Sequence, residues 1–237
     1  MKHTKYHLAS VVLVFTGAAN SCLGALNWEG SSGVFMNPIA YPVAQKKVET
    51  AVHYIDLDNL GSIETFSVTG GIAPNVDLGF TRLTTDANEV RDQNILHAKW
   101  QFMKETPQAP AVAAWVLYRD AVGGKSSADI GLTATKVIPI GKNPLILEGG
   151  VRSTKAIGNG LFGFSSNRML QLDAAIAYFV TKNVIIGTEY REQPDSRNWT
   201  DFAVRYQATK DLNIDLGIAN FAPGINNQLA LGVTYAF

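Results

Sequence analysis

Thirteen ionisable side chains stand at positions whose chain neighbours are mostly apolar or small: Glu49, His97, Lys99, Arg119, Asp129, Glu148, Arg152, Asp173, Glu189, Arg191, Asp201, Arg205 and Asp215. In an extended chain successive side chains point to opposite faces, so these charges would share a side opposite a greasy one. Two kinds of chemistry suit such an array. Opposite charges can form ladders of ion pairs that fill a narrow interior, with Glu189 and Arg191, Asp201 and Arg205, and Glu148 and Arg152 as same-strand candidates. Alternatively, a charged wall can line a water-filled conduit and select what passes. Catalytic spacing is missing: there is no Gly-x-Ser-x-Gly elbow and no histidine spacing of a metal site. His53 and His97 fall on expected strands, where a lone histidine serves as a hydrogen-bonding group. The stretch Gly123–Ser127 lacks the glycine spacing and following helix of a phosphate loop. No enzyme activity, cofactor or metal is expected.

The elements that would position these charges follow from period. From residue 46 onward, apolar and polar residues alternate in segments of about ten, separated by turn residues. Twelve such segments are expected: 46–56, 61–72, 76–84, 93–104, 110–120, 128–139, 143–153, 168–180, 183–192, 197–208, 211–221 and 226–237. Connections after the even-numbered strands are short; those after the odd-numbered strands are mostly longer and rich in polar residues or glycine. Strands of this length suit a tilted crossing of a bilayer, and the asymmetry of the connections is that of an outer-membrane barrel. The expected fold is an all-β, transmembrane, antiparallel up-and-down barrel of about twelve strands, with both termini on the short-turn side, the periplasm.

The first 25 residues read as a signal peptide: Lys2 and Lys5, then an apolar stretch from Leu8 to Ala19, then small residues with several possible cleavage points. The chain's one cysteine, Cys22, lies there, either removed with the signal or left as a lipidated first residue. Residues 26–45 show no sustained period and read as an irregular lead-in, periplasmic or lumenal. Residues 46–237 would form the barrel. Twenty basic against twenty acidic residues give zero formal net charge, which excludes a strongly basic nucleic-acid binder.

Alternation alone does not say which face is outside; the aromatics do. On the greasy faces Trp100, Phe102, Tyr178, Tyr206, Tyr235 and Phe237 gather where even strands end. Tyr54, Phe80, Tyr118 and Tyr190 gather at the other end, with Leu, Val, Ile and Ala between. Two aromatic bands around an aliphatic belt are what the two lipid–water interfaces select. Charges on that face are few, Glu64, Arg82 and Lys136, and all fall near expected rims, where a charge costs roughly 0–1 kcal/mol against 2–4 at the midplane. In the loop 155–167, Leu161, Phe162 and Phe164 sit among glycines; they mark a partner site, a constriction folded into the pore, a contact dipping into the outer leaflet, or an ordinary mobile loop.

The last strand, Leu229, Leu231, Val233, Tyr235 and Phe237, resembles the C-terminal recognition strand of bacterial outer-membrane barrels. The resemblance implies that Tyr235 and Phe237 act as an assembly signal read by the outer-membrane assembly machinery. The lead-in, with Gly33, Pro38 and Ala40, is loosely similar to the start of barrels associated with exopolysaccharide secretion. The expectation is a bacterial outer-membrane barrel, surrounded by outer-membrane lipid, acting as a passive channel for small hydrophilic solutes. The alternatives are a closed structural or accessory barrel for an envelope polysaccharide or protein partner, and a lipid-modifying enzyme. An open lumen favours the first; a lumen filled by ion pairs or by residues 26–45 favours the second.

Overall fold

Alternation with period two only resolves into a fold when one face is committed to a core, because a slip of one residue exchanges the faces. In the computed structural model, which describes residues 25–57, 61–87, 90–121, 124–193, 198–220 and 228–237, the inner face is fixed all the way round. The expected signal peptide lies outside the described residues, apart from Ala25. The strands are β1 (Val48–Asp56), β2 (Ser62–Ala73), β3 (Val76–Thr85), β4 (Gln93–Met103), β5 (Ala111–Ala121), β6 (Ser126–Ile140), β7 (Asn143–Ala156), β8 (Phe164–Thr181), β9 (Val184–Arg191), β10 (Trp199–Gln207), β11 (Leu212–Asn220) and β12 (Gln228–Ala236). Each pairs antiparallel with its chain neighbours, and β1 pairs with β12 from Glu49↔Ala236 to Ile55↔Ala230, closing the barrel. Closure leaves no edge strand, and Phe237 N–H adds a bond to Val48 O at 2.8 Å.

Strand ends agree with the expected ones to within a few residues. The largest difference is at β8, which begins four residues early. There Phe164 pairs with Ala156 beyond a register shift after Thr154, so the β7–β8 hairpin continues further than the alternation marks. Other register shifts lie at Gly71/Ala73, Gln101/Met103 and Phe179/Thr181, near the short turns, where barrel rims commonly carry bulges.

The outer face is apolar. Leu78, Leu96, Val116, Ile130, Leu132, Leu172, Ile176, Leu216, Leu231 and Val233 are all exposed, as are nine of the ten sorted aromatics, Tyr178 being half-buried. Glu64 sits next to the loop-side end of β2. Arg82 pairs with Asp92 at 2.6 Å near the same rim, and Lys136 lies 3.3 Å from Glu105 at the other. Glu64, Arg82 and Lys136 are therefore all at rims.

The interior is filled by the chain's own lead-in. Residues 25–43 run inside the barrel, every one buried except the half-buried Met36, Tyr41 and Pro42. Trp28 joins Ile55, Leu57, Ile63, Leu83, Leu161 and Trp199 in a cluster at the loop end. Phe35 and Ile39 pack with Ile146, Phe179 and Ile185 towards the short-turn end. The segment leaves beside β2, where Lys46 N–H reaches Gly71 O at 2.9 Å, and feeds directly into β1. Beside Trp28, Phe35 and His53 a cavity of about 40 Å³ remains, room for a few waters.

Candidate functional site

The thirteen charges all point inward, and all but Asp215 are buried. Their partners differ from those expected. Among the described residues, none of the same-strand pairs Glu189–Arg191, Asp201–Arg205 and Glu148–Arg152 forms an ion pair. Residues two apart on a strand, like Glu189 and Arg191, stand nearly 7 Å apart, and those four apart, like the other two pairs, about 13 Å, whereas cross-strand partners have Cβ atoms about 5 Å apart. Arg205 instead makes a two-pronged pair with Asp215, directly opposite on β11, at 2.7 and 2.8 Å. Arg119 on β5 reaches Asp129 on β6 at 3.2 Å. Thr133 Oγ1 lies 2.9 Å from Glu148 Oε1. Asp173 lies opposite Arg191, Asp201 lies opposite Glu189, and Glu49 stands close to Asp77 and Lys99.

Most of the remaining grip is on the lead-in. Glu189 accepts the consecutive N–H groups of Phe35, Met36 and Asn37 at 3.1, 2.5 and 3.2 Å. Such a run of N–H groups is a nest for an anionic oxygen. Arg191 Nη2 donates to Met36 O and Asn37 Oδ1, both at 2.9 Å. Arg205 donates to Gly33 O at 3.0 Å, and Lys99 donates to Ser32 O at 2.9 Å and Ser32 Oγ at 2.6 Å. Thr69, Thr81 and Thr133 donate to the carbonyls of Gly30, Glu29 and Pro38. An irregular segment has no ladder for its backbone groups; here wall side chains satisfy them. His53 Nε2 lies 3.1 Å from Leu26 O, and His97 Nε2 lies 3.2 Å from Thr69 Oγ1. Both histidines therefore stand in hydrogen-bonding positions.

The centre of this arrangement is a residue that the sequence reading passed over. A tight turn from Asn27 to Ser31, closed by Asn27 Oδ1 accepting from the N–H groups of Glu29 and Ser31 at 3.1 Å each, holds Glu29 at its tip. Gly30 is needed there: its φ is +89°, and a Cβ would stand 2.0 Å from Thr81 Oγ1. The Glu29 carboxylate meets three guanidiniums from alternate strands. Arg119 Nη2 bonds Oε1, Arg152 Nη2 lies 3.3 Å from Oε2, and Arg191 Nη1 lies 3.7 Å from Oε2. Burial alone would raise the Glu29 pKa. The charges of Arg152, Arg119 and Arg191 outweigh it and hold the carboxyl well below the usual range.

Aromatic faces and neighbouring groups set the guanidiniums in place. Arg152 lies 4.8 Å over the Trp115 ring, Arg191 5.6 Å over Trp199, and Arg205 5.2 Å over Phe35. The 155–167 loop also folds inward. Asn159 Oδ1 accepts from Arg152 Nη1 at 3.3 Å, and Leu161 is buried in the Trp28 cluster. Asn159 and Leu161 thus lie inside the barrel, and Phe162 and Phe164 are half-buried. The donors Arg119 Nη1 and Arg152 Nε have no hydrogen-bond partner among the described residues.

At the other end of the chain, Tyr235 and Phe237 face outward, edge to face with ring centroids 4.8 Å apart.

Comparison with solved structures places this architecture among outer-membrane barrels. The KdgM porin superposes with a TM-score of 0.60 at 12% identity, covering 81% of this chain and 99% of that one. The NanC porin gives 0.58 at 9% identity, covering 79% and 98%. Omp33 of Acinetobacter baumannii gives 0.56 at 10% identity, covering 82% and 98%. At these identities the likeness is one of fold. That fold, with an aliphatic belt that only lipid can cover, makes this a protein of the bacterial outer membrane. No curated protein matches the sequence. A family profile does, over residues 26–228, and the chain belongs to that family, described as Protein of unknown function (DUF3034).

Proposed function

We propose that the barrel is a passive channel for small hydrophilic solutes, closed in the described state by residues 25–43. The observation that carries this reading is how the lead-in is held. Its polar grip is mostly on backbone groups and one carboxylate, with the side chains of Ser32 and Asn37 added, through wall side chains that water can satisfy equally well once the segment leaves. Withdrawal would uncover a wall bearing Lys99, Arg119, Arg152, Arg191 and Arg205 among carboxylates, a polar surface suited to a wet conduit. That porins share the fold adds support.

The second reading is a closed structural or accessory barrel, and the filled lumen favours it. The two separate by single-channel recording of refolded protein in a planar bilayer. The full chain should be mostly silent. Protein lacking residues 26–44, and full-length protein carrying Glu29→Gln, should conduct in steady steps. Insertion is checked by gel mobility that changes on boiling. Silence from both inserted variants overturns the channel reading in favour of the closed barrel.

We also propose that the C-terminal strand is the signal for the assembly machinery. Its outward Tyr235 and Phe237 match the family pattern of such strands.

A further inference from the structure

Three arginines converge on one glutamate that belongs to the lumenal lead-in. When Glu29 leaves, Arg119 keeps Asp129 at 3.2 Å, Arg152 keeps only a distant approach to Asp129 at 4.0 Å, and Arg191 keeps no ion pair among the described residues. Two of the three guanidiniums then lack a close carboxylate. Arg119 Nη1 and Arg152 Nε already stand unpartnered with Glu29 in place, although both side chains are at most 1% exposed. Trp115 and Asn159 set the plane of Arg152, Asp129 holds Arg119, and Trp199 lies against Arg191, so the cradle would not need to be assembled around a ligand. Pre-set guanidinium forks are the groups that recognise carboxylates by paired hydrogen bonds.

We propose that Arg119, Arg152 and Arg191 form a binding site for a carboxylate-bearing solute, which Glu29 occupies as an internal ligand when the lumen is closed. Solute and plug then compete for one site. A solute that binds the cradle favours the open state, because it binds that state and not the closed one. This rests on the channel reading, so the test is a binding measurement that does not need conduction.

The probe is glutarate, with its uncharged analogue glutaramide as control. The readout is intrinsic tryptophan fluorescence of refolded protein, since Trp115 and Trp199 lie against Arg152 and Arg191. Glu29→Ala vacates the cradle, and should give a saturable response to glutarate at a concentration at least tenfold lower than the full wild-type chain requires. Glutaramide should give none. Adding Arg152→Gln to Glu29→Ala should abolish the response; Arg191→Lys, which keeps the charge, should weaken it and serves if the first double variant fails to fold. No saturable response in folded Glu29→Ala, an equal response to glutaramide, or equal affinity in wild type and variant overturns the proposal. If glutarate binds as expected while the bilayers stay silent, the cradle stands and the channel reading falls. If the variants conduct but bind nothing, the reverse holds.

Discussion

Replacing Glu29 by glutamine keeps the shape of the side chain and removes its charge. In the closed state Arg191 would then keep no ion pair among the described residues, and Arg152 only its 4.0 Å approach to Asp129. Breaking a buried ion pair from one side costs about 3–5 kcal/mol, because it strands the remaining charge. In the open state the same arginines would be hydrated, so the penalty falls on the closed state alone. At 1.36 kcal/mol per tenfold, the ratio of open to closed should rise by about 10² to several times 10³. Val34, only 2% exposed, reports on it. With Val34→Cys in a Cys22→Ser background, labelling by a membrane-impermeant maleimide should speed up by that factor if opening and closing are fast compared with labelling. A change of less than about threefold would refute the reasoning. It would mean that the Glu189 nest and the apolar clusters hold the plug, and that the cradle is incidental.

Acid should act late on the Glu29 contact. The docked Glu29 carboxyl titrates well below its ordinary value of 4.5, so its contribution to docking is complete above about pH 4.5. It is lost only as the pH falls from there through the depressed value, by about 1.4 kcal/mol per unit. The excess of Val34→Cys labelling in Glu29→Gln over the Glu29 parent should therefore be constant from pH 7 to 5 and shrink below about 4, measured by pre-equilibrating at each pH with a thiol reagent that reacts in acid. Gly71→Ala should loosen the plug's exit: a Cβ there would stand 2.1 Å from Ala44 O and 2.6 Å from Val43 O, and backbone cannot yield as a side-chain tip can. Faster Val34→Cys labelling with unchanged heat-dependent gel mobility is expected, and equal labelling would count against that packing. Deleting Phe237 should lower the yield of protein assembled in the outer membrane by severalfold in a fractionation assay, and an undiminished yield would sink the assembly-signal proposal.

How far the sequence could be read depends on where local pattern carries the physics. A barrel strand in lipid must alternate, so β1 to β12 were legible to within a few residues, and so was the inward aim of Glu49 through Asp215. The outward aromatics Trp100, Tyr118 and Tyr235 were legible because lipid sorts them by depth rather than by contact. Partners were not legible. Register decides that Arg205 meets Asp215 rather than Asp201, and register emerges only when the sheet closes. Glu29 was hidden for a different reason. It lies in a stretch with no period, and its importance comes from three residues 90 to 162 positions away. One local signal existed: Asn27 two residues before Glu29, with Gly30 after it, is the chemistry of a tight turn, and a lone carboxylate at its tip is presented outward to whatever surrounds it.

The mixed sign of the wall also finds a cause in the plug. A conduit selecting one charge would be expected to favour one sign along its wall. An irregular segment presents N–H and C=O groups alike, and each left unpaired when buried costs about 1–3 kcal/mol. The wall must therefore supply acceptors and donors together. Glu189 takes three N–H groups and Asp77 takes that of Val43 at 3.0 Å. Lys99, Arg191 and Arg205 take carbonyls. Arg119, Arg152 and Arg191 together exceed what backbone pairing requires, and they face the plug's single carboxylate. If the wall served only to hold the plug, replacing Glu29 and Arg152 together by Gln and Met would remove charges in balance, and would cost less than Glu29→Gln alone. In the double variant, Val34→Cys labelling should fall back towards the wild-type rate. A double variant as open as the single one would show that the arginines do not hold the plug through Glu29.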